Sequence, residues 1–400
     1  MANSLLTIDM ITRKSLEILE NNLVISRNCN RQYDDSFAVQ GAKIGSTLRI
    51  RLPDRALVTD GAALQVQDDN EQYTTLSVAS QKHIGINFTS AELTMQLDDF
   101  AERVLKPRIS QLASSIDADV ATAYKSIYNS VGTPGTTPGT SLVLLQAQQK
   151  LNEFATPMSP RYATVNPAAN AGLVEGMKGL FNPTDTVSRQ FKNGMMGTGV
   201  LGFDEINMSQ SIGMHTTGAW GTTITSTGTL STQGQATLPI SFTGSSKTWK
   251  QGDVFTIGGV YAVNPQTRQS TGSLQQFVVT ADVTATTTGT LAISPAIYTA
   301  DHALATVDSF PQATAVVTML GSASTQYAQN LSYHKDAITL ATADLLLPQG
   351  VDMASRQTHN GISMRIVRQY DINNDRMPCR VDVLYGYAAI RPSMATRIWG

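Results

Sequence analysis

The sequence predicts an α+β protein with a small all-β domain inserted into it. Residues 92–130 form the longest segment with helical periodicity, with apolar side chains at steps of three and four. Residues 46–53 and 361–370 alternate apolar and polar side chains, as half-buried strands do. From 216 to 299 charge almost disappears, and β-branched runs recur between glycine-rich turns, which is typical of a small barrel or sandwich.

Composition argues against several functional classes. The chain has 400 residues, a net charge of −2 and 15% charged residues, so it lacks the basic excess of a nucleic-acid binder. Abundant hydroxyl and amide side chains suit a protein that buries polar surface against copies of itself. Cys29 and Cys379 form no metal or redox motif, and we expect free thiols in a reducing compartment. We expect no signal peptide, no membrane span and cytoplasmic synthesis.

The N-terminal quarter is predicted to be a helix, an extended arm and a hairpin. Residues 7–23 carry the apolar spacing of an amphipathic helix, and the polar run 27–36 is interpreted as an arm. Strands at 46–53 and 71–88 flank an acidic stretch with Asp and Gly turn signals. We expect a large protruding hairpin whose tip is mobile.

The segment 92–130 is interpreted as one helix that is interrupted near its start. Asp98 and Asp99 are N-cap candidates, and Pro107 favours a fresh helix start that runs to Ser130. Its apolar stripe is expected to pack on the sheet formed by the strands near 362–390. The polar side chains are expected on the opposite face: Arg108, Ser114, Ser115, Asp117 and Lys125.

The following segments predict alternating helices and strands. The glycines and prolines of 132–140 indicate a loop, and Ser141 can cap a helix that runs through Phe154. Arg161–Val165 is a predicted strand, and Asn166 before Pro167 is a typical helix start. Glycines in 193–209 precede a further short strand.

One pattern imitates a calcium loop. Asp371, Asn373 and Asp375, with Asp382 eleven residues after the first, match the acidic positions, but Arg376 stands where a sharp turn requires glycine. We therefore predict an Asx-rich turn between two strands.

The histidines do not have ligand spacing, and no catalytic signature is present in the sequence. His334 stands beside Lys335 and Asp336, which could suggest acid–base chemistry in a hydrolase, but a local hydrogen-bonding role is favoured. We predict no catalytic residue, no cofactor-binding residue and no metal ligand, and no enzyme activity.

The order of these segments resembles one family. HIGINFTSAEL is followed by LDDFAERVLKPRISQLASSIDADV, RYATVNP, NGMMGTGVLGFDEINMS, HKDAITLATADL and VDVLYGYAAIRP. The chain resembles the major capsid proteins of tailed bacteriophages, in the branch with an inserted β-domain. The resemblance covers nearly the whole chain.

The resemblance implies a division into named parts. The implied parts are an N-terminal arm (1–40), an extended loop (41–90), the spine helix of a peripheral domain (91–140), an axial domain in two pieces (141–216 and 327–361), an inserted β-barrel-like domain (217–326) and peripheral return strands (362–400). The polar face of the spine helix would look toward the interior of the shell.

The resemblance implies an icosahedral shell that encloses double-stranded phage DNA. Its expected partners are copies of itself in hexamers and pentamers, a scaffolding protein, a portal, packaged DNA contacted without sequence specificity, and decoration proteins. Some relatives crosslink subunits through a lysine, but neither Lys43 nor Lys82 has a recognisable partner, so no crosslink is predicted. The alternatives are a cellular nanocompartment of the same fold and a β-rich phage tail or adhesion protein.

Overall fold

The computed structural model describes residues 8–31, 46–58, 61–62, 66, 72–88, 104–176, 197–372 and 377–400. Contacts divide the chain into two compact units. The first unit comprises Met1–Ile50, Thr74–Ala121 and Thr339–Ala388, and the second comprises Arg51–Tyr73, Thr122–Ile338 and Ala389–Gly400. No helix of the described residues has the length and apolarity that crossing a membrane requires.

The helices and strands are numbered in chain order. The α-helices are α1 (Ile8–Asn22), α2 (Ile25–Asn28), α3 (Lys106–Ala121), α4 (Ser141–Glu153) and α5 (Pro167–Gly176). The 3-10 helices are Thr122–Ser126, Lys335–Ala337 and Pro392–Met394. The strands are β1 (Ser46–Arg51), β2 (Tyr73–Val78), β3 (Ser80–Phe88), β4 (Ser130–Val131), β5 (Arg161–Val165), β6 (Gly197–Val200), β7 (Phe203–Met208), β8 (Met214–Thr216), β9 (Ile224–Ser226), β10 (Gln235–Phe242), β11 (Lys247–Trp249), β12 (Val254–Val263), β13 (Ser270–Val279), β14 (Val283–Ala285), β15 (Thr288–Ile297), β16 (Val317–Met319), β17 (Gln326–His334), β18 (Ile338–Ala343), β19 (Met353–His359), β20 (Ile362–Arg368), β21 (Met377–Ala389) and β22 (Ala395–Trp399).

A five-stranded sheet forms the centre of the first unit. Its order is β18-β21-β20-β19, and β3 pairs with the long strand β21. Alternate residues of these strands, such as Ile366 and Val381, are buried, whereas neighbouring positions carry arginines. Helices α1 and α3 pack against this unit's strands, so one sheet face supplies much of its core.

Helix α3 differs from its prediction in length and in the environment of its polar side chains. The α-helix ends at Ala121 rather than Ser130, and Ser130 begins β4. After Ala121 the chain continues as the 3-10 helix Thr122–Ser126. Arg397 N–H then donates to Asn129 O at 2.8 Å, next to the parallel pairing of β4 with β22. Tertiary pairing therefore ends a helix that its periodicity would continue.

The polar positions of α3 are engaged within the first unit. Arg108 donates to Gly85 O at 3.2 Å, and Ser115 O accepts from Lys82 at 2.9 Å, so these positions meet β3. Asp117, which the periodicity places on the polar face opposite the apolar stripe, is buried, so this face is not polar surface along its whole length. The predicted N-cap residues 98 and 99 lie outside the described residues.

The second unit contains a seven-stranded sheet with the order β4-β22-β17-β5-β7-β6, and β8 also pairs with β17. Leu144 and Leu151 of α4 and Leu173 of α5 belong to one apolar cluster with the strands. The predicted helix and the strand β5 are present, but Ser141 is the first helical residue and Thr140 stands at the N-cap without a side-chain hydrogen bond, so the prediction of Ser141 as the cap is wrong. Asn166 Oδ1 accepts from Ala169 N–H at 2.7 Å as a predicted helix cap.

The charge-poor segment of the second unit forms a small barrel. Six antiparallel strands run in the order β16-β12-β13-β15-β10-β9. Residues at the two ends of this order meet: Ser226 N–H donates to Ala315 O at 2.9 Å, and Thr314 N–H donates to Ser226 O at 3.0 Å. The barrel encloses its own apolar core, which includes Trp249 and Phe255. Strands predicted in this part of the chain are therefore present, and closure leaves few unpaired edges.

Candidate functional site

Four buried polar side chains come together in the second unit, and we call Tyr124, His215, Asp253 and Arg397 the polar centre. His215 Nε2 lies 2.8 Å from Asp253 Oδ1, and Tyr124 OH lies 3.3 Å from His215 Nδ1. Side-chain exposure is 3% for His215 and 0% for Asp253. The arrangement resembles an acid–histidine–hydroxyl relay, but burial denies a substrate access to its imidazole and carboxylate.

The carboxylate of Asp253 also organises the backbone where the barrel begins. Its Oδ2 accepts from Gly218 N–H at 3.1 Å and from Lys250 N–H at 2.7 Å. His215 is on β8, which pairs with β17 of the seven-stranded sheet, and Asp253 directly precedes barrel strand β12. The carboxylate therefore joins the start of the inserted segment at Gly218 and the turn before β12 at Lys250 to His215 of β8 through three hydrogen bonds.

Arg397 completes the polar centre from β22. Its Nε donates to Ile127 O at 2.8 Å, its Nη1 donates to Gly252 O at 2.7 Å, and its guanidinium lies 5.3 Å from the centre of the Tyr124 ring. Burial lowers the pKa of Arg397 to about 9, although Tyr124 and Asp253 oppose that shift. Burial also raises the pKa of the Tyr124 hydroxyl. The geometry supports a structural role, in which these side chains link neighbouring segments, rather than proton transfer.

Asp382, the last residue of the calcium-like pattern, lies in the interior of the five-stranded sheet. Its side chain is 0% exposed and accepts from Arg365 Nη2 and from Arg380 Nε, both at 2.6 Å. Both carboxylate oxygens are therefore committed to guanidinium groups. Strands β20 and β21 pair antiparallel on either side of the predicted turn, whose residues 373–376 lie outside the described part. Within the described residues, no group of three metal-ligating side chains is present.

His334 has the local role that the sequence favours. Its Nδ1 accepts from Asp336 N–H at 3.2 Å and caps the 3-10 helix Lys335–Ala337. Burial lowers the pKa of His334, which favours the neutral ring that this acceptor role requires.

Asp117 attaches the chain around α2 to helix α3 in the first unit. Its carboxylate accepts from Val24 N–H at 2.6 Å, from Ser26 N–H at 3.0 Å and from the Ser26 hydroxyl. Burial raises the pKa of Asp117, and these hydrogen bonds act in the opposite direction. The carboxylate thus fastens residues 24–26, which lie within the predicted N-terminal arm (1–40), to helix α3.

Lys82 is held by the same helix. Its Nζ lies 2.9 Å from Ser115 O, 2.7 Å from Ser115 Oγ and 2.7 Å from Asp119 Oδ2. Tyr385 OH also donates to Asp119, and burial is the largest cause of the raised pKa of Tyr385. The ammonium of Lys82 therefore contacts three oxygen atoms of two residues, Ser115 and Asp119, within its own unit. Lys43 lies outside the described residues.

A pocket of about 540 Å³ opens in the second unit. Aromatic, proline and arginine side chains line it, among them Arg55 and Arg391. Tyr128 and Phe154 form part of the wall and meet edge to face, with ring centres 5.9 Å apart.

Sequence reasoning missed the polar centre completely. Its members lie 91 residues apart from Tyr124 to His215 and 38 residues apart from His215 to Asp253. No local spacing connects them. The one available signal was that Asp253 is among the few charged residues in a charge-poor barrel segment.

Comparison with known proteins places the chain in a family. The P22 coat protein family, described as gene protein 5, matches residues 1–400. A major capsid protein of Acyrthosiphon pisum secondary endosymbiont phage 1 is 22% identical over 338 residues, which are 79% of this chain and 79% of that protein.

Solved structures show a partial likeness in backbone. One from Mycobacterium phage Che8 is 12% identical, covers 94% of this chain and 90% of its own, and has a TM-score of 0.47. The asymmetric unit of the bacteriophage PhiM1 mature capsid is 12% identical, covers 88% and 81%, and has a TM-score of 0.41.

The whole-chain family match carries the assignment, and it confirms the α+β phage capsid fold and the resemblance to phage major capsid proteins. The chain belongs to the P22 coat protein family and is a structural protein of a bacteriophage capsid shell.

Proposed function

We propose that copies of this chain, arranged as hexamers and pentamers, close into an icosahedral shell around double-stranded DNA. The family match over residues 1–400 is the observation that carries this proposal. Neither the buried polar centre nor the doubly paired Asp382 offers a reacting group to a substrate, which is consistent with a structural role.

The division of labour along the chain is also a proposal. Residues 1–40 serve as an arm. The sheets support an axial domain that takes 141–216 and 327–338 together with β22, and a peripheral domain that takes 91–121 with 339–388, because β18 and β19 pair in the sheet of β20 and β21 whereas β22 pairs with β17. The inserted domain is 217–326, and its closed barrel with a separate apolar core supports folding as a distinct element. The polar centre would then attach that barrel to the seven-stranded sheet.

Residues 41–90 are proposed to be the extended loop that contacts a neighbouring copy. β1 and β2 pair, and the pairing continues where Leu52 N–H donates to Gln72 O at 2.8 Å. Replacing 56–70 with Asn-Gly, a two-residue turn, would preserve this base. We expect a folded subunit that assembles poorly. An unfolded subunit, or normal shells, would contradict the assignment.

The partners follow from the same proposal. A scaffolding protein and a portal would direct assembly in the host bacterial cytoplasm, and decoration proteins would bind the finished shell. A net charge of −2 suits weak, non-specific contact with packaged DNA, because each neutralised phosphate adds affinity and salt dependence.

The proposal is tested by producing the chain in bacteria with and without the proposed scaffolding protein. Sedimentation followed by negative-stain electron microscopy should show closed shells of uniform diameter with the scaffolding protein, and protected DNA when packaging components are added. Persistent monomers under all these conditions would refute the shell function.

A further inference from the structure

Two adjacent leucines are exposed in the first unit. Leu346 is 76% exposed and Leu347 is 44% exposed, on the segment that follows β18. Single exposed apolar residues are ordinary, whereas two adjacent exposed leucines offer a larger apolar surface for a partner to cover. We call this pair the leucine knob.

Arginines hold the knob in place. Arg365 Nη1 donates to Leu346 O at 2.6 Å, and Arg356 Nη1 donates to Leu345 O at 3.3 Å. Arg356 Nε also lies 3.4 Å from Asp344 Oδ2. The backbone that carries the two exposed leucines is therefore fixed from one side by two guanidinium groups.

Apolar packing fixes the same segment from within. Leu345 is partly buried and packs against a cluster of Val78, Ala343 and Leu384. Its two successors extend out of that cluster into solvent. A surface that is ordered before it binds loses little conformational entropy on association, so the knob is prepared for a partner.

The charges around the knob argue against DNA as that partner. Arg365 is paired with Asp382 at 2.6 Å, and Arg368 is paired with Asp352 at 2.9 Å. Arg356 is paired with Asp344. Asp382 also pairs with Arg380, so these four described arginines face three carboxylates, and the excess of one positive charge falls short of the cation cluster that phosphate binding needs.

The rim instead presents both signs of charge. Asp352 has a side-chain exposure of 40%, and Arg380 has one of 49%. A surface with an apolar centre and exposed groups of both signs can be complementary to another copy of itself.

We propose that the leucine knob is an assembly contact, covered in the shell by a second copy of this chain. The inference rests on the proposed shell function and specifies one surface that this function uses. Burial of the two leucines against the neighbouring copy supplies apolar contact, and the pinned backbone sets its position.

The test is the double variant L346D/L347D, with Q349D as a control that adds charge to the same exposed segment without removing apolar surface. All three proteins are compared by circular dichroism, thermal unfolding and shell yield. We expect folded L346D/L347D subunits whose shell yield falls by about tenfold or more, and Q349D shells at the wild-type yield. A wild-type yield from folded L346D/L347D would overturn the proposal.

A cryo-electron microscopy map of wild-type shells tests the same contact without any substitution, so misfolding of a variant cannot affect the result. We expect Leu346 or Leu347 within about 4.5 Å of apolar atoms of a neighbouring copy. Both leucines facing solvent would overturn the proposal while leaving the shell function intact. Failure of the wild-type chain to form shells would contradict the proposed function instead.

Discussion

Replacing Asp253 with alanine is the most informative perturbation of the polar centre. The carboxylate accepts from His215 Nε2 at 2.8 Å, from Gly218 N–H at 3.1 Å and from Lys250 N–H at 2.7 Å, and its side chain is 0% exposed. Asp253→Ala removes all three contacts at once. It also removes the negative charge that helps to keep buried Arg397 ionised.

The expected loss of stability follows from the groups left behind. Each buried donor without an acceptor costs about 1–3 kcal/mol, and removing one partner of a buried charge network typically costs about 3–5 kcal/mol. These figures describe overlapping effects and are not summed. We therefore expect Asp253→Ala to lower the free energy of unfolding by about 3–5 kcal/mol.

Equilibrium urea unfolding of subunits, followed by tryptophan fluorescence and circular dichroism, measures this loss. Asp282→Ala is the matched control, because Asp282 also accepts two hydrogen bonds, from Lys250 Nζ at 2.8 Å and Gln251 N–H at 2.7 Å, but is 58% exposed. Its removal should cost under about 1 kcal/mol. Equal decreases in the free energy of unfolding for the two variants would refute the argument that the polar centre stabilises the fold because it is buried.

Three further predictions concern Arg397, Trp249 and Asp117. Arg397→Lys should lower the free energy of unfolding by about 2–3 kcal/mol, because one ammonium cannot reproduce the guanidinium hydrogen bonds to Ile127 O and Gly252 O. An unchanged free energy of unfolding, measured with urea, would contradict this. Trp249→Ala should lower the free energy of unfolding by about 3–5 kcal/mol, because the Trp249 ring is fully buried and its centre lies 4.9 Å from the centre of the Phe242 ring. A smaller decrease, measured by circular dichroism, would count against a closely packed barrel. Burial raises the pKa of Asp117 above its ordinary value of 3.8, so the folded protein favours the protonated carboxyl group. The stability that this group contributes is therefore complete below about pH 3.8 and is lost as the pH rises through the raised pKa. Unfolding measured from acid to neutral pH should show the stability of wild type declining relative to Asp117→Asn, and the opposite slope would contradict it.

Local chemistry explains which elements could be predicted from the sequence. The alternation in 46–53 corresponds to β1 at Ser46–Arg51, and Asn166 before Pro167 starts α5 with the expected side-chain cap. The loss of charge after residue 216 coincides with the barrel strands. In each case the residues that decide the structure are neighbours in the chain.

The remaining features depend on residues far apart in sequence. Helical periodicity could not reveal that Arg397 would engage Ile127 and Asn129 and draw the chain into β22 pairing. Asp117 occupies a polar position by periodicity, yet the backbone of Val24 and Ser26 supplies the donors that make its burial possible. The polar centre likewise combines residues of the barrel segment and of the sheet that lie far apart in the chain.

The most direct test of the whole account is a cryo-electron microscopy reconstruction of particles purified from cells that produce this chain with its scaffolding protein. The account predicts a closed icosahedral shell whose density is fitted by repeated copies of this chain, with the barrel formed by β9–β16 as a separate element of each copy. Particles built from another protein, or only monomers and irregular aggregates of this chain, would contradict it.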